Sequence, residues 1–385
     1  MYLRGGHMKK INVHGHILNY GCCPNKWLLK QAHIPEWVLK RYTTRYVIWF
    51  ITSLLPGNKF DRTPKMMKMF KNTLFQNADL YYYNEMIPNE IELFTPLLMD
   101  MDYATDEEYE AELGYEYIVT IMSEIAEQYF GVIMPFYGFD PRRHNAAIKA
   151  IHALDRMGFL GIKMYPKLGF HPWHESNINS RLNNEELGIM YEHCQEEKIP
   201  ITVHCSPGGA YSESLVGYDE KANLLVCPKA WKNVLKDFPK LKLNFAHFGG
   251  NLSSFNSWTE EIIYLMNCYE YVFADTSYHD DAHNKKTRFK YFQNLDKAIA
   301  KAPPCRIMGG TDYPMTAHTF TEKEYYSVFE DALETYHGKK FGIMNVLAPI
   351  KFLFDEEFPP RILTAFNKSQ KDIPQWLNSV IEKYK

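Results

Sequence analysis

The sequence lacks most of the features that would assign a protein class directly. Its seven cysteines include no CxxC pair, and their odd number fits free thiols in a reducing compartment better than a disulfide scaffold. The longest apolar run, 47–55, has nine residues, whereas a helix needs about 20 to cross a bilayer. The first ten residues contain no apolar segment typical of signal peptides. We therefore expect a cytoplasmic protein that has no membrane partner.

An excess of positive charge is also missing. The 385 residues carry 43 Lys and Arg against 46 Asp and Glu, so we expect no nucleic-acid partner. The charges are unevenly placed: 26–71 holds ten Lys or Arg and two Asp or Glu, whereas 72–139 holds fourteen Asp or Glu and no Lys or Arg. Two oppositely charged surfaces are the simplest interpretation. A basic lid that attracts an anionic substrate and a self-association surface are the alternatives.

What the sequence does contain is a repeated alternation of apolar runs and helical patterns. There are eight such runs, at 10–16, 91–101, 131–137, 159–165, 200–204, 242–247, 271–275 and 305–309. Strands that alternate with helices form parallel sheets, and eight units favour a (β/α)8 TIM barrel over an open sheet. We therefore predict an α/β fold with a single barrel domain over 1–385. The long gap at 18–90 predicts a helical insertion, with helix-like stretches around 35–55 and 63–76.

Histidine and aspartate residues follow several of these runs. His14 and His16 lie two residues apart at the end of the first strand, so their side chains point to the same side. His204 and His247 close the fifth and sixth strands, and Asp312 follows the eighth. The carboxyl ends of barrel strands form one face, and His and Asp residues clustered there predict a metal or catalytic site.

This arrangement resembles the amidohydrolase superfamily, whose signature is HxH on strand 1, His on strands 5 and 6, and Asp on strand 8. The stretches GTDYP (310–314) and GIKMYP (161–166) are most similar to the amidohydrolase-related family that includes aminocarboxymuconate-semialdehyde decarboxylase. The resemblance implies one divalent metal ion, Zn²⁺ in preference to Mn²⁺, held by His14, His16, His204 and Asp312. It also implies that His247 handles protons beside the metal, and that Asp312 takes part in catalysis.

Lys163 leaves the number of metal ions open. In two-metal members of the superfamily a carboxylated lysine at the end of strand 4 bridges the metals, and Lys163 occupies such a position. We favour one ion, because the closer resemblance is to one-metal enzymes. Lys163 is then a candidate substrate-binding residue, together with Tyr165 and Arg142.

Two reactions fit the predicted site. The first is hydrolysis of an amide, ester or lactone by metal-activated water. The alternative is non-oxidative decarboxylation of a small carboxylic acid, which needs a cation such as Lys163 to hold the carboxylate. A metal-dependent binding protein without activity is a third hypothesis. We expect a small-molecule substrate, and a homodimer formed through the insertion is a further hypothesis.

Overall fold

The computed structural model describes residues 10–22, 24, 69, 72–103, 113–173, 180–212, 219–254, 256–318, 320–335 and 346–384. The predicted helix-like stretch around 35–55 lies outside the described residues. The stretch around 63–76 is described at 69 and from 72 onwards, and a helix begins there at Leu74. The assignment of the whole chain to one domain stays a prediction.

The eight predicted strands are all present and all pair in parallel. They are β1 Lys10–Gly15, β2 Ile91–Pro96, β3 Phe136–Phe139, β4 Gly161–Met164, β5 Pro200–His204, β6 Lys242–Ala246, β7 Val272–Asp275 and β8 Ile307–Met308. β1 pairs with β2, and β3 to β8 form a six-stranded sheet in chain order. Isolated parallel bridges connect the two sheets at both seams: Phe94 and Leu97 pair with Ile133 and Phe136, and Gly15 pairs with Tyr313. The strand order confirms the predicted (β/α)8 barrel.

Helices alternate with the strands. Within the described ranges, the α-helices of at least six residues before β8 are α1 Leu74–Tyr81, α2 Tyr115–Gln128, α3 Ala146–Arg156, α4 Arg181–Glu196, α5 Asp219–Val226, α6 Lys232–Asp237, α7 Ser257–Cys268 and α8 Arg288–Lys301. Those after β8 are α9 Glu322–Thr335, α10 Leu347–Leu353, α11 Pro360–Ala365 and α12 Gln375–Tyr384. Most are amphipathic in the way a barrel requires, because one face of each covers the strands. In α3, for example, the buried side chains recur at helical spacing at Ala146, Ala150, Ala153 and Leu154.

The described part of the predicted insertion forms the crossover into β2. A capping box formed by Thr73 and Gln76 starts α1, and the helical path continues through Tyr82–Met86 and Ile87–Asn89. Tyr81 packs its ring against Phe94 of β2, 4.2 Å away between centroids. Residues 74–89 therefore occupy the place of the first barrel helix.

The two faces of the strands differ in chemistry. Apolar residues such as Ile162, Ile201 and Leu243 are fully buried against the helices. Their neighbours Lys163, Thr202 and Asn244 pair across β4 to β6 and point the other way. At the amino-terminal end of the strands, Phe352 of α10 contacts Phe136 and Phe273, so the C-terminal helices cover this end. The polar residues are thus left towards the opposite end, where barrel active sites lie.

None of the helices in the described ranges combines the length and apolar character that a bilayer-spanning segment needs.

Candidate metal centre

The predicted site residues lie at the carboxyl ends of four strands and are all buried. His14 is the fifth residue of β1, and His16 follows the strand directly. His204 ends β5, His247 follows β6 and Asp312 lies in the turn after β8. None of these five residues is more than 7% exposed, although all are polar. Buried polar groups need partners, so the contacts of each side chain decide what the site can hold.

Three of the five side chains converge. His14 Nε2 lies 3.4 Å from Asp312 Oδ1, and His16 Nε2 lies 3.1 Å from the same oxygen. Candidate ligand atoms of these three residues all lie within 4.8 Å of one another. Imidazole nitrogen and carboxylate oxygen are donors typical of Zn²⁺ and related divalent ions.

The hydrogen bonds of the two imidazoles show that this convergence suits a cation. His16 Nδ1 faces the carbonyl oxygen of Leu97 at 2.7 Å, so it must donate its proton there. His14 Nδ1 faces Asp275 Oδ2 at 3.2 Å and must donate likewise. In the neutral rings both Nε2 atoms then carry lone pairs, and Asp312 Oδ1 has no hydrogen-bond donor among the described residues. Three lone-pair atoms facing one another repel unless a positive ion lies between them, so these residues fit a divalent metal.

The structure does not bring His204 into this group of three. Its Nε2 lies 2.9 Å from the Gly208 carbonyl oxygen, and its Nδ1 lies 3.2 Å from His247 Nε2. The His247 ring in turn lies 4.8 Å from that of His14, so His204 is one imidazole away from the convergence. Its role as a metal ligand stays a prediction.

His204 and His247 have one proton fewer than their contacts require. Carbonyl oxygens stand at both ends of the pair, Gly208 beside His204 and Ser277 at 3.1 Å from His247 Nδ1. The three contacts along this row need three protons, whereas two neutral imidazoles carry two. Burial places the pKa of His204 well below its ordinary value and also lowers that of His247, so the neutral forms prevail.

Electrostatics keep His14 neutral and Asp312 ionised. Burial lowers the pKa of His14 to about 4, and the positive charge of Lys163 adds to this, against the opposing effect of Asp275. Burial alone would raise the pKa of Asp312, but its closeness to the imidazoles of His16 and His14 holds it at about 2. Neutral imidazole and ionised carboxylate are the forms that bind metal.

His247 and Asp312 also share an uncommon backbone conformation. Their φ angles are 62° and 64°, in the left-handed region that non-glycine residues rarely adopt. Such conformations cost on the order of 1–3 kcal/mol each and cluster at functional sites. The turns after β6 and β8 therefore place these two side chains at a cost in local stability.

Two of the predicted substrate-binding residues, Lys163 and Tyr165, lie beside the convergence. Both border a narrow pocket whose other walls are formed by Leu98, Met99, Asp100, Phe139, Asp140, Leu168 and Phe170. Burial lowers the pKa of Lys163 to about 8, although Asp275 and Asp312 oppose the shift. Among the described residues the Lys163 ammonium has no hydrogen-bond partner. Tyr165 stacks on His204 at 4.3 Å between ring centroids.

Arg142, the third predicted substrate-binding residue, is already occupied by its own chain. Its Nε and Nη2 donate to the two oxygens of Asp140 at 2.8 and 2.6 Å, and its Nη1 donates to the Leu168 carbonyl oxygen at 3.1 Å. A substrate carboxylate would have to compete with Asp140 for this guanidinium. Asp140 and Leu168, which Arg142 contacts, border the pocket, whereas Arg142 itself is not among the residues that line it. Its role in substrate binding stays a prediction.

Sequence reasoning missed two residues of the site, Asp275 and Ser277. Asp275 is the last residue of β7, is fully buried and accepts from His14. The Ser277 hydroxyl lies 2.9 Å from His14 Nδ1 and 3.0 Å from His247 Nδ1. A charged residue at the end of an otherwise apolar strand was the available signal for Asp275. Ser277 has no comparable signal in the sequence.

Comparison with known proteins identifies the family. The family model described as amidohydrolase matches residues 80–335, which is more than half of the chain. No curated protein matches the sequence significantly.

Three solved structures illustrate the shared fold. 2,6-Dihydroxybenzoate decarboxylase, complexed with 2,6-dihydroxybenzoate, aligns with a TM-score of 0.54 and 11% identity over 90% of this chain and 99% of that chain. A probable 2-pyrone-4,6-dicarboxylic acid hydrolase from Acinetobacter baumannii gives 0.53 and 10%, again over 90% and 99%. 5-Carboxyvanillate decarboxylase from Novosphingobium aromaticivorans, complexed with manganese and a nitrobenzoic acid, gives 0.53 and 12% over 90% and 96%. At these identities the likeness shows the fold alone.

Proposed function

We propose a function for this chain from the premise that it belongs to the amidohydrolase family. The proposed activity is metal-dependent hydrolysis of a C–N or C–O bond in a small amide, ester or lactone. The observation that carries the proposal is the convergence of His14 Nε2, His16 Nε2 and Asp312 Oδ1, three lone-pair atoms with no proton between them. It lies at the end of the barrel strands where barrel enzymes have their active sites.

The proposed cofactor is a single divalent ion, Zn²⁺ in preference to Mn²⁺. His14, His16 and Asp312 would hold it, and His204 is proposed as a fourth ligand because its buried ring lies next to His247. Imidazole-rich sites suit zinc, and manganese is present in the 5-carboxyvanillate decarboxylase structure. A bound ion of this kind supplies Lewis acidity and brings the pKa of water close to neutrality.

Asp312 and His247 are the proposed catalytic residues. Asp312 stays ionised at neutral pH and is proposed to accept a hydrogen bond from the attacking water and orient it. His247 is neutral because burial lowers its pKa, so it is able to take up a proton and return it to the leaving group. Its Nδ1 is directed at Ser277, which leaves Nε2 on the side of His204.

Decarboxylation is a second candidate, and Lys163 is the observation that favours it. This ammonium is 2% exposed and borders the pocket next to the convergence. A buried cation without a hydrogen-bond partner is costly unless an anion pairs with it during function. A substrate carboxylate would provide that anion, with Tyr165 as a flanking aromatic surface. A carboxylated substrate fits both reactions, so Lys163 alone does not choose between them.

Metal content per chain is the first test of the proposal. We expect one equivalent of zinc or manganese in the wild type, loss of the ion in His16→Ala and retention in Lys163→Ala. If the wild type contains two equivalents per chain and Lys163→Ala contains fewer, the site holds two ions and the one-ion proposal is wrong. Absence of metal after reconstitution with either ion would refute the proposal.

The reaction is tested separately with the metal-loaded protein. Carboxylated lactones, amides and esters are assayed for acid release, and aromatic carboxylic acids for carbon dioxide release. We expect turnover in the first group that disappears in His247→Gln and Asp312→Asn. Turnover confined to carbon dioxide release would establish the second candidate instead.

A further inference from the structure

A single buried carboxylate, Asp275, contacts both histidines that the proposed function uses. Its Oδ2 lies 3.2 Å from His14 Nδ1 and accepts from Asn244 Nδ2 at 2.7 Å. Its Oδ1 accepts from the backbone N–H groups of His247 at 3.2 Å and Ser277 at 3.1 Å, and also from the Ser277 hydroxyl. β7 thus ends in a carboxylate that holds the His14 ring of β1 and the backbone of His247, which follows β6.

Ser277 extends this contact to the His247 ring. Its hydroxyl proton is directed at Asp275, so its oxygen lone pairs remain free to accept. They lie 2.9 Å from His14 Nδ1 and 3.0 Å from His247 Nδ1. The Ser277 carbonyl oxygen, at 3.1 Å from His247 Nδ1, accepts only. Every acceptor around the two Nδ1 atoms therefore calls for a proton on each of them.

This proton arrangement distinguishes the Asp275 cluster from the metal convergence. His14, His247 and Asp275 also lie close enough to be considered as ion ligands. Between these three residues, however, the contacts are satisfied by Nδ1–H groups and a hydroxyl. At Asp312 the facing atoms carry lone pairs, and Oδ1 has no donor in the part of the chain that the structure describes. The first cluster is a hydrogen-bonded support, and only the second requires a cation.

We propose that Asp275 is a positioning residue that fixes the Nδ1–H tautomer of His14 directly and orients His247 through Ser277. This inference rests on the proposed function, because His14 is taken as a metal ligand and His247 as the proton carrier. Asp275 then affects metal affinity through its direct contact with His14, and proton transfer through Ser277 and His247. The two routes separate at Ser277. Its hydroxyl also lies near His14 Nδ1, but the His14–Asp275 contact persists without it, whereas the contact of Asp275 with the His247 ring runs through Ser277.

Loss of the carboxylate should weaken metal binding even though Asp275 is not a ligand. Without it, the His14 proton is free to move to Nε2, where it would point at Asp312 and occupy the place of the cation. Hydrogen-bond partners of metal-binding histidines typically contribute 10- to 100-fold to affinity or activity. We expect a loss of about that size in Asp275→Asn, which keeps the shape of the side chain and removes its charge.

The test measures Zn²⁺ affinity of metal-free protein by competition with a chelator. The variants are Asp275→Asn, Ser277→Ala and, as a control, Asp140→Asn, another buried carboxylate whose partner is Arg142. We expect weaker binding by about 10- to 100-fold in Asp275→Asn, and binding within about threefold of wild type in the other two. Ser277→Ala should instead lower kcat at saturating zinc.

The possible results discriminate between this inference and the proposed function. If the wild type binds no zinc, the proposed function fails. If the wild type binds zinc and Asp275→Asn binds it equally well, the positioning role fails alone. If Ser277→Ala and Asp275→Asn weaken zinc binding equally, the two routes are not separate and that part of the proposal fails.

A second measurement stands even if Asp275→Asn does not fold. Metal-free wild type labelled with ¹⁵N-histidine reports the tautomer of each ring by NMR, and the His14 signals are assigned by their loss in His14→Gln. We expect the Nδ1–H tautomer at His14, with a downfield and slowly exchanging proton. A predominant Nε2–H tautomer would overturn the proposal.

Discussion

Lys242 offers a test of how the barrel tolerates a buried charge away from the metal centre. It is the first residue of β6 and is 1% exposed, and its ammonium makes no hydrogen bond or ion pair with the residues the structure describes. Burial lowers the pKa of Lys242 from its ordinary 10.5 to about 7. The charge of Asp355 opposes this shift, and the nearby positive charges of Lys198 and Arg361 add to it. At about 1.4 kcal/mol per pKa unit, this corresponds to a cost of up to about 5 kcal/mol for the charged form.

The cost depends on pH with a definite sign. Below pH 7 Lys242 is charged in both the folded and the unfolded chain, so the folded state bears the whole penalty. Between about pH 7 and 10.5 the folded state loses its proton first, and the free energy of unfolding rises with pH. Lys242→Met has similar length and no charge, so it should stabilise the protein by about 3 kcal/mol at pH 6. The gain should shrink steadily towards pH 10.

Equilibrium urea unfolding followed by circular dichroism at pH 6, 8 and 9.5 measures this difference. The matched control is Lys240→Met, two residues earlier and exposed, which should change the free energy of unfolding by less than about 0.5 kcal/mol at each pH. A pH-independent gain would show that packing and not charge limits Lys242. A loss of stability in Lys242→Met at pH 6 would refute the reasoning.

Two further predictions concern the site and the C-terminal helices. Gly209 has φ 95°, and an added Cβ would lie 2.4 Å from the Tyr165 hydroxyl and 2.8 Å from the His204 ring, so Gly209→Ala should lower kcat at least tenfold. Gly208→Ala is its control, since the nearest atom there is 3.7 Å away, and equal loss in both would contradict the steric reason. Arg361 donates to three carbonyl oxygens of the α3–β4 turn, so Arg361→Met should lower the free energy of unfolding by about 3 kcal/mol or more, measured in urea. A change below about 1 kcal/mol would show that water replaces these bonds.

The strands were predictable because each is a short apolar run between turn signals. Parallel strands buried on both faces lose the polar alternation of exposed sheets, and the run at 200–204 coincides with β5 to the residue. Residues 74–89 were harder, because a helix that belongs to the barrel and a helix that is inserted have the same local pattern.

The site was predictable only where residue type and strand end coincide. His14, His16 and Asp312 satisfy that rule, and the structure brings them together. The orientation of the site side chains was not predictable in this way, because it depends on partners far away in the chain. Ser277 meets His14 across 263 positions, and no local pattern marks such a contact. The ion pair of Arg142 with Asp140 illustrates the reverse case, since the partner was two residues away and still competes with a substrate role.

His14 is the point at which positioning and metal binding meet. The neutral ring carries one proton, either on Nδ1, where it faces Asp275, or on Nε2, where it faces Asp312. On the Nδ1 side both Asp275 Oδ2 and the Ser277 hydroxyl oxygen accept. On the Nε2 side the acceptor among the described residues is Asp312 Oδ1, at a longer distance. The proton therefore stays on Nδ1 in the metal-free protein, and Asp312 is left without a donor. A cation at Asp312 then meets a lone pair that is already in place, so binding need not move the proton. The hydrogen bond from His14 to Asp275 on β7 and the lack of a described donor at Asp312 Oδ1 after β8 both follow from the Nδ1–H tautomer of His14.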